Sequence, residues 1–272
     1  KFGAAPKAKS IAEVCIEAEL KLHSANIKSV VAPKILIAGC GTGMQSLGTA
    51  SRFANCDITA VDLSRASLAY AQRKTDELGI TNIQYLQADI LNLDELGQKF
   101  DIIESAGVLH HMDDPMAGWR VLTDLLNSSG LMKIGLYSEL ARHHVVRIRE
   151  EIVVKGLEIS DDEIRQFRRS LIESPAEHHQ RLTSFYDFFT LSSLRDLIFH
   201  VQEHRFTLPQ IQICLDELGL KFCGFESPEI VANFKKSFGE ESDTCDLLLW
   251  HQFEKQNPKT FLGMYQFWCQ KR

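Results

Sequence analysis

The sequence predicts an α/β protein with a doubly wound parallel sheet. Strand-like and helix-like segments alternate from Lys34 to Tyr137, the pattern of a parallel sheet with helices on both faces. A tight, glycine-rich turn follows the first of these strands, residues 35–38. Strand signals then almost disappear until residue 220, so a helical insert is expected to interrupt the sheet.

The composition limits the classes of partner. Hydrophobic residues make up 44% of the 272 residues and charged residues 24%, enough for a large core. The net charge of -6 favours neither a nucleic acid nor an anionic membrane as partner. No apolar run reaches the roughly 18 residues of a membrane span. The seven cysteines form no C-x-x-C pair, which is typical of reduced thiols and predicts a cytoplasmic protein.

Local signals place the elements of the sheet region. Ser64 and Gly79 are suited to begin and end the helix after the second strand. Asp113 or Asp114, ahead of Pro115, is suited to begin the helix after the fourth. The predicted strands of this region are 35–38, 57–62, 83–88, 100–105 and 131–137.

Four regions are expected along the chain. Capping boxes at Ser160 and Thr207 predict that helices begin there. Leu191 to His204 is predicted as one helix. Strands at 220–226 and 264–270 return the chain to the sheet. The regions are an extension over 1–33 with an amphipathic helix within 8–24, a sheet core over 34–138, a helical insert over 139–206, and the completion of the sheet over 207–272.

Gly39, Gly41 and Gly43 occupy alternate positions after the first strand. Glycine adopts backbone angles that other residues avoid, and it has no Cβ to keep a ligand away. A strand, a tight glycine turn and a helix together place a ligand over the carboxyl edge of a sheet. The alternative interpretation is an ordinary strand-to-helix turn.

Two acidic residues point to the kind of ligand. Asp62 ends the second strand, where a carboxylate accepts both hydrogen bonds of a ribose diol. Asp89 ends the third strand, where it is placed to accept from an adenine amino group. The alternative for each is to cap the helix that follows it. The dinucleotide pattern G-x-G-x-x-G needs a third glycine where this chain has Met44, so a different nucleoside cofactor is favoured over a nicotinamide dinucleotide.

These segments resemble the class I S-adenosylmethionine-dependent methyltransferases. In the family's order, residues 34–137 contain ILIAGCGTG, TAVDLS, LQADI, FDIIESAGVLHHMDDP and WRVLTDLLNSSGLMKIGLY. The resemblance implies S-adenosylmethionine as methyl donor, S-adenosylhomocysteine as product, and a Rossmann-like sheet of about seven strands whose last strand is antiparallel. The chain departs from the family at NSSG, residues 127–130, where many relatives have a Lys-Pro-Gly-Gly turn.

The resemblance also implies roles for individual residues. The ribose is expected on Asp62, and the adenine between Leu63 and Ile90 with Asp89 on its amino group. No metal ligands are expected. The other expected cofactor contacts, at the glycine loop and at the methionine end of the donor, are Gly39, Cys40, Gly41, Thr42, Gly43, Glu104 and Ser105.

Residues 138–272 resemble, in addition, a methyltransferase module found in bacteria, often C-terminal to tetratricopeptide repeats. The segments that carry this resemblance are YSELARHHVV, DLIFHVQEHRFTLPQI and NPKTFLGMYQFW. It implies an upstream tetratricopeptide-repeat region in a longer chain. It does not identify the acceptor, which is expected to be a small molecule or a protein side chain.

Four residues are candidates for acid–base or orienting roles. A general base assists transfer to a hydroxyl or a protonated amine. His110 and His111 follow the fourth strand, Tyr137 ends the fifth, and His204 lies in the insert, which is expected to act as a lid that excludes water. Their alternatives are loop-ordering or exposed histidines and a packed phenol.

HVQEH, residues 200–204, matches the H-x-x-E-H pattern of inverted zinc peptidases. Because the pattern is short, a hydrogen-bonded helix is favoured over a zinc site. The expected function is methyl transfer to an O, N or S atom. Its alternatives are a nucleoside-binding module that controls a partner and a nicotinamide-dependent oxidoreductase, which Met44 disfavours.

Overall fold

The computed structural model describes residues 8–157, 160–185, 188–199 and 202–272. The strands within these ranges are β1 (Lys34–Ala38), β2 (Asp57–Asp62), β3 (Ile83–Gln87), β4 (Phe100–Ala106), β5 (Leu126–Leu136), β6 (Leu220–Phe225) and β7 (Tyr265–Lys271). They form one seven-stranded sheet in the order β3-β2-β1-β4-β5-β7-β6. The chain runs outward from β1 in both directions, which confirms the predicted doubly wound fold.

The strand directions bring the predicted site residues to one edge. The strands β1 to β5 pair in parallel, whereas β7 is antiparallel to both β5 and β6, as the family resemblance implies. Ile37 of β1 pairs with Ala60 of β2 on one side and with Glu104 of β4 on the other. The turns that follow β1, β2, β3 and β4 therefore meet at the carboxyl edge of the sheet.

The predicted helix starts are confirmed at three caps. The Ser64 hydroxyl, the Asp114 carboxylate and the Thr207 hydroxyl each accept a backbone N–H of the helix that follows. Among the described residues, none of the helices combines the length and apolar character of a membrane crossing. The α-helices are α1 (Ile11–Glu17), α2 (Met44–Arg52), α3 (Arg65–Glu77), α4 (Pro115–Leu125), α5 (His143–Lys155), α6 (Asp161–Glu173), α7 (Glu177–Thr183), α8 (Leu191–Phe199), α9 (Leu208–Glu217), α10 (Pro228–Phe238) and α11 (Leu247–Gln256).

Apolar side chains pack on both faces of the sheet. Because side chains alternate along a strand, Ile35 and Ile37 of β1 belong to one cluster, and Leu36 and Ala38 to the cluster on the opposite face. The helices of the insert share a third cluster, with Ile148, Phe167 and Leu194 among its fully or nearly fully buried members. The insert therefore has a core of its own.

The strand β5 begins earlier than the sequence predicts. Phe100 of β4 pairs with Leu126, whereas Ile102 pairs with Leu131, so the polar run at 127–130 forms a bulge in the strand. Within this bulge Ser129 adopts a positive φ of 61°, which is not a strand conformation. The predicted start of the fifth strand, at residue 131, is therefore five residues too late.

The helix predicted to continue to His204 ends at Phe199. Phe206 donates its N–H to the carbonyl oxygen of Tyr137 at 2.9 Å, so the chain near Phe206 pairs with the segment after β5. His204 lies outside the helix, and the prediction of a continuous helix is wrong there. Its expected helical partner, His200, falls outside the described residues.

The N-terminal helix is also shorter than the amphipathic pattern over 8–24 predicts. The helix α1 ends at Glu17, and Glu19 then adopts a φ of 50°, which a helix does not accommodate. Lys21 donates its N–H to the carbonyl oxygen of Cys223 at 2.9 Å, so this segment is held against β6.

Candidate active site

A crevice of about 830 Å³ opens at the carboxyl edge of the sheet. Its volume falls in the range of about 300–1,000 Å³ that is usual for small-molecule sites. The turns after the first four strands supply its walls. The lining residues that sequence analysis also singled out are Gly39, Gly41, Asp62, Leu63, Asp89, Ile90 and His111.

The three glycines of the loop serve different purposes. All have positive φ, but a Cβ on Gly41 would meet nothing within 4 Å, so its backbone faces open space in the crevice. A Cβ on Gly43 would lie 2.7 Å from the Cβ of Ala71, and one on Gly39 would lie 2.2 Å from Cγ2 of Val108. Of the three, Gly41 is therefore the glycine whose missing side chain leaves space for a ligand. The missing side chains of Gly39 and Gly43 leave space for Val108 and Ala71.

Asp62 is held at the crevice by two backbone N–H groups. Its Oδ2 accepts from Gly41 and its Oδ1 from Ser64, each at 2.8 Å. Because a carboxylate oxygen has two lone pairs, each oxygen retains a further acceptor position. The side chain that caps α3 is the Ser64 hydroxyl, so capping does not account for Asp62.

Asp89 does cap the element that follows it. Its Oδ1 accepts from the N–H of Leu91 at 3.0 Å, at the start of the 3₁₀ helix Ile90–Leu96. This confirms the capping interpretation, and contact with adenine stays a prediction. Leu63, which is 64% exposed, and Ile90 both line the crevice, so apolar surface is available to cover a planar ring.

Glu104 and Ser105, near the end of β4, are buried and are not among the residues that line the crevice. Ser105 donates its hydroxyl to the carbonyl oxygen of Ala38, and its contact with the donor stays a prediction. The Oε2 atom of Glu104 accepts from Gln45 at 2.9 Å and from Thr49 at 3.0 Å, whereas its buried Oε1 has no hydrogen-bond partner among the described residues. An unsatisfied buried carboxylate oxygen is costly, which makes this atom a natural acceptor for a ligand's cationic amino group.

Cys40 and Thr42 do not line the crevice formed by the described residues. Burial, together with the Asp62 charge, raises the pKa of the Cys40 thiol to about 12, so it is not a thiolate nucleophile near neutral pH. Thr42 is exposed to solvent. Their contacts with the donor stay predictions.

Of the four candidate acid–base residues, His111 alone lines the crevice among the described residues. Its Nδ1 lies 2.9 Å from the carbonyl oxygen of Gln202. Since a carbonyl only accepts hydrogen bonds, Nδ1 carries the proton in this contact.

The other three candidates, His110, Tyr137 and His204, are not among the residues that line the crevice. His110 is fully buried, with its ring centroid 3.9 Å from that of Tyr137, and its carbonyl oxygen accepts from the N–H of His204 at 2.7 Å. The interpretation of His110 as a residue that orders the loop therefore agrees with its place in the structure. His204 also has its Nε2 3.1 Å from Nε2 of Gln202.

A buried ion pair adjoins these residues. Arg142 binds Glu203 through two hydrogen bonds, of 3.0 Å from Nε and 2.7 Å from Nη2, and both side chains are almost fully buried. The guanidinium carbon of Arg142 lies 3.6 Å from the centroid of the Tyr137 ring. Sequence analysis did not identify Arg142. It noted Glu203 only as part of the H-x-x-E-H pattern of zinc peptidases, not as the partner of an arginine. The signal available was an arginine placed just after the fifth strand.

The comparison with known families agrees with the geometry. Residues 35–130 match a family model described as a methyltransferase domain. This segment contains the glycine loop, Asp62, Asp89 and the histidine pair. By family match, sheet order and crevice, residues 35–130 form a methyltransferase domain within a sheet of the class I type.

Individual relatives share the core and differ in length. An uncharacterised protein of Synechococcus sp. is 31% identical over 202 residues, 71% of this chain and 48% of that protein. The (S)-coclaurine N-methyltransferase of Papaver somniferum is 29% identical over 128 residues, 46% of this chain and 36% of that enzyme. The structure of PKMT2 from Rickettsia typhi in complex with AdoHcy aligns with a TM-score of 0.71 at 16% identity, over 98% of this chain and 54% of that one, and shows a shared fold. The chain spans about half the length of the Synechococcus and Rickettsia proteins.

Proposed function

We propose that this chain binds S-adenosylmethionine in the crevice and catalyses transfer of its methyl group to an O, N or S atom of a small molecule or a protein side chain. The observation that carries the proposal is the Asp62 carboxylate, fixed by two N–H groups beside the open backbone of Gly41. When bound, the donor supplies a methyl group on a sulfonium, which is an activated leaving group.

The residues present fit such a donor. Asp62 would accept from the ribose hydroxyls, and Leu63 and Ile90 would flank the adenine, with Asp89 beside its amino group. The open face of Gly41 lets a ligand approach the backbone. The unsatisfied Oε1 of Glu104 would accept from the ammonium group of the methionine end.

Calorimetry with S-adenosylmethionine and S-adenosylhomocysteine tests donor binding. Asp62→Ala should weaken the affinity more than tenfold, because two hydrogen bonds to a charged acceptor are lost. Asp57→Ala is the matched control, since Asp57 is an exposed acid at the opposite end of the same strand. Absence of binding to the unaltered chain would refute the proposal, and tight binding of NADH in its place would favour an oxidoreductase.

Catalysis requires a further test, because a binding module would pass the first. Protein purified from cells should carry S-adenosylhomocysteine, the product of turnover, and should release it on denaturation for mass spectrometry. A chain that carries only the intact donor, and transfers no labelled methyl group to any candidate acceptor, is better explained as a binding module.

We assign the role of general base to His111, where the acceptor needs one. The hydrogen bond from Nδ1 to the Gln202 carbonyl orients the ring, and His111 is the one candidate base among the described residues that lines the crevice. Once an acceptor is found, His111→Asn should remove the acidic limb of the pH–rate profile. His110→Asn is the comparison, because a buried loop-ordering residue should affect stability before it affects the profile.

We further propose that the protein is cytoplasmic and that a tetratricopeptide-repeat region precedes this module in a longer chain. Support for the first comes from seven cysteines that are all free thiols. Support for the second comes from the resemblance of residues 138–272 alone.

A further inference from the structure

Three potential metal ligands converge in the insert, on two helices that pack together. Glu151 lies on α5, and His178 and His179 lie on α7. The Nε2 atoms of His178 and His179 are 2.6 and 2.9 Å from Oε1 of Glu151. One ligand atom from each residue lies within 4.8 Å of the others. The three side chains are therefore already gathered around one point.

The chemistry of this set suits a particular kind of ion. Two imidazoles and one carboxylate are ligands that Zn²⁺ and related transition-metal ions accept, often with water in a fourth position. Ligand atoms around a tetrahedral zinc ion are about 3.3 Å apart. The two distances from Oε1 of Glu151 to the histidine nitrogens would therefore need to lengthen by about 0.4 to 0.7 Å to hold one.

A further contact orients one of the ligands. The Nδ1 atom of His179 lies 2.7 Å from the Ser174 hydroxyl, just before α7. Metal-binding histidines typically form such a hydrogen bond through the nitrogen that does not bind the metal, which fixes the ring and its tautomer. His179 is largely buried, and the Glu151 and His178 side chains are about a quarter exposed, so an ion could still reach the site.

We propose that Glu151, His178 and His179 form a binding site for a divalent transition-metal ion of the zinc type, which joins α5 to α7. The nearest cation weighs against tight binding, because Nζ of Lys155 lies 3.7 Å from Oε2 of Glu151. Lys155 is half exposed and flexible enough to turn toward solvent. The site is separate from the HVQEH pattern and takes no part in the proposed methyl transfer.

The test uses the full chain after treatment with a chelator. Calorimetry with Zn²⁺ should find one ion per chain, and His178→Gln or Glu151→Gln should weaken its binding at least tenfold. Zn²⁺ should also raise the melting temperature of the unaltered chain, but not that of His178→Gln. His143→Gln is the matched control, since His143 is a histidine of α5 outside the cluster and should leave zinc binding unchanged.

Equal zinc affinity in the unaltered chain and in both cluster variants would overturn the proposal, as would no binding at a large molar excess. The absorption spectrum with Co²⁺ gives a second readout that does not depend on how any variant folds. Ligand-field bands without a thiolate charge-transfer band support nitrogen and oxygen ligands. A strong thiolate band would place the ion on one of the seven free cysteines and refute the site.

Discussion

Alanine at Gly43 should destabilise the chain, whereas alanine at Gly41 should mainly impair donor binding. Gly43 has a φ of 88°, and an added Cβ would lie 2.7 Å from the Cβ of Ala71 and 3.0 Å from the Tyr85 hydroxyl. Neither neighbour yields easily, because Ala71 is fully buried on α3 and the Tyr85 hydroxyl is hydrogen-bonded to Thr75 at 2.9 Å.

The magnitude follows from two costs. A left-handed conformation costs a non-glycine residue about 1–2 kcal/mol. Overpacking against a buried helix adds about 1–3 kcal/mol. Gly43→Ala carries both costs, about 3 kcal/mol in total, which corresponds to a drop of about 6–12 °C in melting temperature for a chain of this size. Gly41→Ala carries only the first, because its Cβ would meet nothing within 4 Å.

Thermal unfolding and calorimetry on the same two variants separate these effects. Gly41→Ala should keep most of the stability and lose affinity for S-adenosylmethionine, since the new methyl group occupies open space in the crevice. A Gly43→Ala variant as stable as Gly41→Ala would refute the reasoning. So would a Gly41→Ala variant with unchanged affinity, because the ligand would then not approach that backbone.

Two further predictions concern buried charge in the insert. Burial lowers the pKa of His144 from 6.5 to about 4, so the unfolded chain binds a proton that the folded chain does not, and stability falls as the pH drops through this window. The loss is about 3 kcal/mol, so the melting temperature should fall less between pH 7 and pH 4 in His144→Gln than in the unaltered chain. An equal fall in both proteins would contradict this. Glu203→Gln removes the carboxylate that pairs with the buried guanidinium of Arg142 and should cost about 3–5 kcal/mol in urea unfolding. Glu139→Gln, which removes a half-exposed partner of Arg205, should cost less than about 1 kcal/mol; equal losses would refute the distinction.

The sheet could be predicted from the sequence because its signals are local and agree with one another. β2 runs from Asp57 to Asp62 as predicted, and the caps at Ser64 and Asp114 begin their helices. The errors arose where contacts distant in sequence override local pattern. The start of β5 depends on its pairing with Phe100, and the end of α8 is followed by a segment that pairs through Phe206 with the chain after β5.

The sequence indicates which residues lie at the candidate site, but it indicates less well which atoms each of them contacts. Asp62 and Gly41 lie where the pattern places them, because both follow directly from strands whose ends meet. The sequence gives no indication that Gly43 accommodates Ala71, since that contact depends on how α3 packs against the loop. Depth is equally hidden: His110 and His111 are neighbours in sequence, yet one is fully buried and the other lines the crevice.

The insert is joined to the loop that carries His110 and His111, and its role as a lid stays a prediction. None of its described residues lines the crevice; its last segment instead supports one wall, because the His204 N–H donates to the His110 carbonyl and the Gln202 carbonyl accepts from His111. The same segment contains Glu203, whose buried bidentate pair with Arg142 anchors it beside β5. A change in this pair must therefore alter the position of the crevice wall that holds His111. The packing of the insert and the position of His111 are thus coupled, although the two lie far apart in sequence.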